Sequence, residues 1–301
     1  MHPIMVPLPP GERAIAKLLQ QPDGNVYGIV PAPDNQWRFF RINKPKAGGT
    51  EAGTVEMVKA VPDLVLPPKE ILANHALPWQ WDAARKQGYA LTSKGHLLSY
   101  RADGTTTDLG QVAGTRPFEE KEEGYQLSRM LLVTPAGDVY TAGDKGALYK
   151  YTPGAATVSK LEAHLPAVVG REPWASLDAA VIGPDGLIYG GTFDGYLFTF
   201  NPQTGAVTNL GKPFRAQRIA SLAFRRGVLH GIGGDDDAMP RVFSFDPATR
   251  GFTLGAIFTL GLPERVLNYY EPVGACAADA AGNIYVSTLG RMGNLYLWPS
   301  A

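Results

Sequence analysis

A short pattern returns six times along this chain of 301 residues, and it limits what the chain can fold into. It reads Asp23-Gly24-Asn25-Val26-Tyr27, Gly137-Asp138-Val139-Tyr140, Asp185-Gly186-Leu187-Ile188-Tyr189 and Gly282-Asn283-Ile284-Tyr285. In each, a turn glycine precedes a β-prone pair and a tyrosine. Arg226-Gly227-Val228-Leu229-His230 has the same shape with histidine in place of tyrosine, and a looser copy surrounds Gly88-Tyr89. The turn glycines stand at 24, 88, 137, 186, 227 and 282, with spacings of 64, 49, 49, 41 and 55. A period of this size marks a repeat architecture.

A second motif follows each turn: Leu97-Leu98-Ser99-Tyr100, Leu148-Tyr149-Lys150-Tyr151, Leu197-Phe198-Thr199-Phe200, Val242-Phe243-Ser244-Phe245 and Leu295-Tyr296-Leu297-Trp298, with Arg38-Phe39-Phe40-Arg41 first in the chain. These are β-rich runs closed by an aromatic residue in nearly every copy. Turn residues come next, as in Asn201-Pro202-Gln203-Thr204-Gly205, Asp246-Pro247-Ala248-Thr249-Arg250 and Arg101-Ala102-Asp103-Gly104. A last strand runs into Leu109-Gly110, Leu210-Gly211 or Leu254-Gly255. A strand of small residues precedes each turn glycine, as in Ile219-Ala220-Ser221-Leu222-Ala223 and Gly274-Ala275-Cys276-Ala277. Long helical periodicity is almost absent.

Four strands per repeat define an all-β chain, a β-propeller of four-stranded blades. Small residues suit the innermost strand, where blades crowd together. Six blades are expected. Seven is the alternative, since residues 45–78 are long enough to hold part of an irregular blade. The last repeat stops at its third strand, and Pro3-Ile4-Met5-Val6-Pro7-Leu8 supplies the outer strand that closes the ring. Residues 1–301 are read as a single propeller domain.

Composition sets further bounds. Hydrophobic residues are 45% and charged residues 19%, enough to bury a core. Glycine (35) and proline (25) make up about a fifth of the chain, against a usual ~12%, as a turn-rich fold requires. Lys+Arg and Asp+Glu are both 28, so the net charge is zero, which argues against nucleic-acid binding through uncompensated cations. No apolar run reaches the ~18 residues of a membrane span. The start, MHPIMVPLPP, lacks the basic region and apolar stretch of a signal peptide. The chain as written is therefore expected in the cytoplasm, or secreted or periplasmic if a signal was removed. A monomer is expected. The single Cys276 excludes an intrachain disulfide and a multi-cysteine metal site.

The repeats resemble those of bacterial single-domain β-propellers, best seen at Asp185 to Thr192 and Asn201 to Gly211. Propellers of this kind include streptogramin lyases, gluconolactonase-like lactonases and several polysaccharide lyases. The resemblance covers nearly the whole chain and implies the architecture and a lyase-like activity.

In a propeller, one end of the blades gathers the loops that cross to the next blade and the hairpins between second and third strands. The crossover loops carry His75, Trp79 and Trp81, then Arg116, then Arg171 and Trp174, then Arg215 and Arg218, then Tyr269 and Tyr270. Arginine captures carboxylates with two parallel hydrogen bonds, and tryptophan offers a flat face to a sugar ring. Arg291, in an inner hairpin, joins this end. His75, His230, Tyr269 and Tyr270 are the candidates to move a proton. For each of these residues the competing reading is packing or a loop salt bridge. His230 in particular occupies the repeat's tyrosine position, where a packed core histidine is the plain expectation. The run Asp235-Asp236-Asp237 is a candidate Ca²⁺ loop but lacks the spacing of a dedicated one, so a solvated turn is the expectation. Histidines are scattered with no HxH or HxxxH pair, and no metal or other cofactor is expected. Neither GxSxG nor a phosphate or dinucleotide loop occurs.

Two functions follow. One is a lyase acting on an acidic or cyclic small molecule, such as a uronate-containing sugar. An arginine neutralises its carboxylate and a tyrosine or histidine takes the proton. The other is a noncatalytic propeller that presents the same end to a glycan or a protein partner. The partner is expected to be an anionic small molecule or a glycan.

Overall fold

The structure is a computed structural model. It describes residues 4–6, 8, 15, 17–21, 23–31, 37–43, 53–68, 71, 78–113, 128–172, 175–215, 217–234, 240–257, 273–279, 281–288 and 294–298. These form six four-stranded antiparallel sheets with almost no helix, the blades of a six-bladed β-propeller. The alternative of seven blades is corrected: residues 54–58 finish the first blade and residues 59–68 run on outside any strand.

The chain divides into two compact units of three blades. The first is residues 1–62 with 213–301, and the second residues 63–212. In the first unit, blade 1 is β2 (Lys17–Gln20), β3 (Val26–Pro31), β4 (Trp37–Asn43) and β5 (Thr54–Val58). Blade 5 is β18 (Ile219–Arg225), β19 (Val228–Gly233), β20 (Arg241–Asp246) and β21 (Gly251–Ile257). Blade 6 has β22 (Val273–Ala278), β23 (Ile284–Thr288) and β24 (Leu295–Trp298). Its outer strand is β1 (Ile4–Val6), antiparallel to β24 with Ile4 opposite Leu297 and Val6 opposite Leu295. The truncated last repeat is thus completed from the N-terminus, as its missing strand demanded. In the second unit, blade 2 is β6 (Trp79–Asp82), β7 (Gln87–Leu91), β8 (His96–Tyr100) and β9 (Thr106–Gln111). Blade 3 is β10 (Leu132–Val133), β11 (Val139–Ala142), β12 (Ala147–Tyr151) and β13 (Ser159–His164). Blade 4 is β14 (Leu177–Ile182), β15 (Ile188–Thr192), β16 (Leu197–Phe200) and β17 (Val207–Gly211).

The repeated tyrosine locks the turn before it. Tyr27 donates its hydroxyl proton to Asp23 Oδ2 at 2.8 Å, and Tyr189 to Asp185 Oδ2 at 2.8 Å. The other oxygen of each aspartate accepts from a backbone amide, Asn25 N at 2.9 Å and Leu187 N at 3.1 Å. Blade 6 keeps the device with Asp279, which accepts from Tyr285, from the Asn283 side chain, and from the amides of Ala281 and Asn283. That aspartate is buried, so its loss strands four donors. Asp279→Ala should cost about 2–3 kcal/mol, more than Asp23→Ala on its exposed turn. Equal urea midpoints for the two variants would refute this ranking.

A second device joins the two middle strands. Gly28, Gly88, Gly190 and Gly231 stand directly opposite Phe40, Tyr100, Phe198 and Phe243. Each ring lies flat over its glycine, where a Cβ would overlap ring atoms. All four rings are fully buried. In blades 3 and 6 the same register puts Thr141 opposite Tyr149 and Val286 opposite Tyr296, so the ring there is not laid on a bare backbone.

Apolar clusters fill the spaces between neighbouring blades of each unit. Leu18, Val26 and Phe40 of blade 1 pack with Tyr285, Leu295 and Leu297 of blade 6. Ala220, Ile232 and Val242 of blade 5 pack with Val273, Ile284 and Tyr296 of blade 6. Tyr140 and Leu148 of blade 3 pack with Leu177, Ile188 and Phe198 of blade 4.

Candidate functional site

Each blade has a turn end, with the turns that join its first strand to its second and its third to its fourth, and a crossover end, with its middle hairpin and the segment leaving for the next blade. The crossover end of blade 4 is the best defined. Ser176, Asp178, Thr192 and Asp194 are all buried there. Buried polar side chains are costly unless satisfied, and these are engaged. Ser176 Oγ donates to Asp178 Oδ1 at 3.1 Å, and Thr192 Oγ1 accepts from Tyr196 N at 3.0 Å. Ser128 Oγ accepts from Leu177 N at 3.1 Å, tying the segment that enters blade 3 to β14. Asp194 sits in the β15–β16 hairpin and reaches the incoming loop. It accepts from Val168 N at 3.4 Å, and its Oδ1 lies 3.5 Å from Arg171 Nε.

Arg171, chosen from the sequence as a ligand clamp, is therefore held by a buried carboxylate on one side. Its side chain is 42% exposed. Glu172 turns onto the Gly170 amide, Oε1 to N 3.1 Å, and that bond with its own backbone amide holds its carboxyl below the usual range. Lys145, on the 3₁₀ turn Asp144–Gly146 of the blade 3 hairpin, acts electrostatically on Glu172 and places a second cation at this end.

Trp79 and Trp81 lie on β6, the innermost strand of blade 2. Trp79 is buried, and Trp81 meets the Tyr100 ring at 5.8 Å between centroids. In the first unit, Arg215 is exposed on the loop before blade 5. Arg218 is buried with a left-handed φ of 64°, and its carbonyl accepts from Gly234 N at 3.0 Å. This closes the crossover end of blade 5. His75, Arg116, Trp174, Tyr269, Tyr270, Arg291 and the Asp235–Asp237 run lie outside the described residues. Among the described residues no cluster of three or more His, Cys, Asp or Glu is placed to hold a metal.

His230 sits elsewhere. It pairs with Ala223 and Ser244 three residues from Gly233 along β19, so it is about 10 Å from the crossover end at strand rise. Its ring stands edge-on to Trp298 of blade 6 at 5.0 Å. The Arg225 guanidinium lies 5.4 Å from the same indole, and its stem covers the turn glycine Gly282. Burial, and then the charge of Arg225, lower the His230 pKa to about 4. The unfolded value is near 6.5, so the folded state binds fewer protons between those values. His230 thus stabilises the fold fully above about pH 6.5, and this contribution is lost as pH falls towards 4. It is on the order of 3 kcal/mol. His230→Phe should flatten that part of the stability curve relative to wild type. Parallel curves from pH 7 to pH 4 would count against a neutral buried histidine.

Two residues were not singled out as ligands in the sequence. Asp194 lies in an ordinary Asp-Gly hairpin, and nothing in its spacing announces Arg171 as a partner. Lys17, on the inner strand β2, has its amine lowered to about 7 by burial; only its place on an innermost strand could have flagged it. Cys276 behaves as its alanine-rich surroundings suggest. Burial raises its thiol to about 11, against the bond from Ser221, so it stays protonated at neutral pH.

No family model matches this sequence, and no curated protein matches it. Solved structures do match. The extracellular domain of the putative one component system BT4673 from B. thetaiotaomicron aligns with TM-score 0.60 and 14% identity over 99% of this chain and 40% of that one. The extracellular domain of the putative hybrid two component system BT3049 from the same organism aligns with TM-score 0.52 and 14% identity over 95% of this chain. This chain spans 40% of the length of either. Both likenesses are to β-propeller domains, and at such identity they show the fold alone. No helix of the described residues is long and apolar enough to cross a membrane.

Proposed function

We propose that the protein is a noncatalytic propeller that binds an anionic small molecule or a glycan at the crossover ends of its blades. The observation that carries this reading is the crossover end of blade 4, where buried Asp194 pairs with the half-exposed Arg171 of the incoming loop. A surface of this kind binds by being prepared in advance, which reduces the ordering cost of association. The solved propellers with similar folds are described as extracellular domains of a putative one component system and a putative hybrid two component system, a setting that suits a binding propeller. For a lyase, a proton acceptor must lie within hydrogen-bond reach of the substrate carbon held by arginine. His230, the described candidate, lies at the other end of its own blade from Arg218.

The test pairs binding with turnover. Polyuronate oligosaccharides and their neutral counterparts are titrated calorimetrically, and the same mixtures are followed for the ultraviolet absorbance of an unsaturated uronate. Saturable binding of the acidic series without new absorbance is expected. Steady formation of unsaturated product would overturn the noncatalytic reading in favour of the lyase.

A further inference from the structure

The loop that Asp194 braces has an unusual tip. Arg171 N donates to Val168 O at 2.8 Å, closing a four-residue turn, Val168-Val169-Gly170-Arg171. Gly170 has φ +85°, as the third residue of a type II turn requires. Turn apices are ordinarily filled by Pro, Gly, Asn, Asp or Ser, each for a backbone reason. Here the first two positions are valines, residues that favour strands. Val169 is 93% exposed and Val168 37%. The turn calls for neither valine side chain.

The turn is also tied to a buried carboxylate. The Asp194 carboxylate is 3% exposed, so it bears a desolvation cost. It accepts from the Val168 amide at 3.4 Å and forms an ion pair with Arg171, Oδ1 to Nε 3.5 Å, so it meets both ends of the turn. Arg171 Nε is itself shielded from solvent while the side chain is 42% exposed. Its exposed surface is therefore on the remainder of the side chain. Glu172, the neighbouring carboxylate, is folded onto the turn's own Gly170 amide. An oriented cation and a pair of valines thus share one rigid four-residue turn.

We propose that the Val168–Arg171 turn is a preformed site for an amphipathic carboxylate, whose carboxylate meets Arg171 and whose apolar group lies on Val168 and Val169. Arg171 supplies charge-assisted hydrogen bonds, and the valines supply apolar area that ligand binding removes from water. Asp194 is a positioning residue that fixes the guanidinium from behind. The proposal rests on the binding reading above and narrows its ligand from any anion to one with an apolar neighbour.

The experiment uses the full chain and three small probes. N-acetylleucine carries both groups, N-acetylleucinamide lacks the charge, and N-acetylglycine lacks the apolar group. Affinities are measured by chemical-shift titration for wild type, Arg171→Gln, Val169→Ser and Asp194→Asn. N-acetylleucine should bind wild type at least tenfold tighter than either of the other probes. Arg171→Gln should abolish its advantage over the amide, and Val169→Ser its advantage over N-acetylglycine. Asp194→Asn, nearly isosteric, should reduce the carboxylate-to-amide ratio severalfold, whereas loosening of the loop alone weakens all three probes together. Arg171 and Val169 are exposed, so their variants test the site even if Asp194→Asn folds poorly. Equal affinity for the three probes, or N-acetylleucine binding untouched by Arg171→Gln, overturns the proposal. If acidic oligosaccharides still bind in that case, the binding reading stands and only this site falls.

Discussion

Gly190→Ala should destabilise the protein by about 3 kcal/mol, at the upper end for overpacking a filled core. A methyl group there overlaps the Phe198 ring, which lies directly across the strand pair and is fully buried. The ring cannot move outwards, because it belongs to the cluster that joins blades 3 and 4, with Leu177 and Tyr140. Phe198→Ala alone should cost about 4 kcal/mol by leaving a cavity. The double variant should cost less than the sum by more than 1 kcal/mol, since the new methyl group enters the space the ring vacates. Urea denaturation of the four proteins measures the coupling. A near-neutral Gly190→Ala with additive behaviour would mean that the ring-on-glycine contact does not constrain the blade.

The second large effect is expected from the N-terminus. Deleting residues 1–7 removes β1, the outer strand of blade 6. Val6 is 1% exposed and packs with Ile15, Leu295 and Leu297. Burial of such a side chain is worth about 1.5–3 kcal/mol, and each cross-strand pair adds roughly 0.2–1 kcal/mol. The deletion should therefore cost about 3–4 kcal/mol. It also bares the hydrogen-bonding edge of β24, so aggregation on heating should increase. A synthetic peptide of residues 1–10, added in excess, should restore part of the loss. An unchanged melting temperature would show that blade 6 does not depend on its N-terminal strand.

The blades were legible in the sequence because each is announced locally. In five blades a turn glycine, a β-prone pair and an aromatic or histidine residue repeat as read, while in blade 2 the turn residue with left-handed φ is Lys86 and Gly88 lies inside β7; the missing outer strand of the last repeat pointed to residues 3–8. The aspartate of Asp23-Gly24 and Asp185-Gly186 was visible too, although its bond to the tyrosine four residues on emerges only when the turn folds back. The glycines at 28, 88, 190 and 231 were less transparent. Each stands beside the motif tyrosine or histidine, and the reason for it is a ring on the next strand.

The candidate site was legible in part. The arginine-bearing crossover loops were picked out by composition, and Arg171 does lie on an exposed loop at the crossover end of its blade. Its partner, Asp194, is 23 residues away in another hairpin. Sequence spacing carries no sign of that pairing, because it depends on where one blade's hairpin meets the loop arriving from its neighbour. His230 shows the opposite case. As an isolated histidine it suggested proton transfer, but its place in the repeat also fitted a packed aromatic position, and the structure puts it against Trp298 with a lowered pKa.

The most direct test of the account as a whole is where a ligand sits. Hydrogen–deuterium exchange of the full chain, with and without a saturating acidic oligosaccharide or N-acetylleucine, reads this along the backbone. Protection is expected at the crossover end of blade 4, in residues 165–172 and the 192–196 hairpin, with the turn ends at 183–187 and 201–206 unchanged. Protection at those turn ends, with none in residues 165–172, would contradict it.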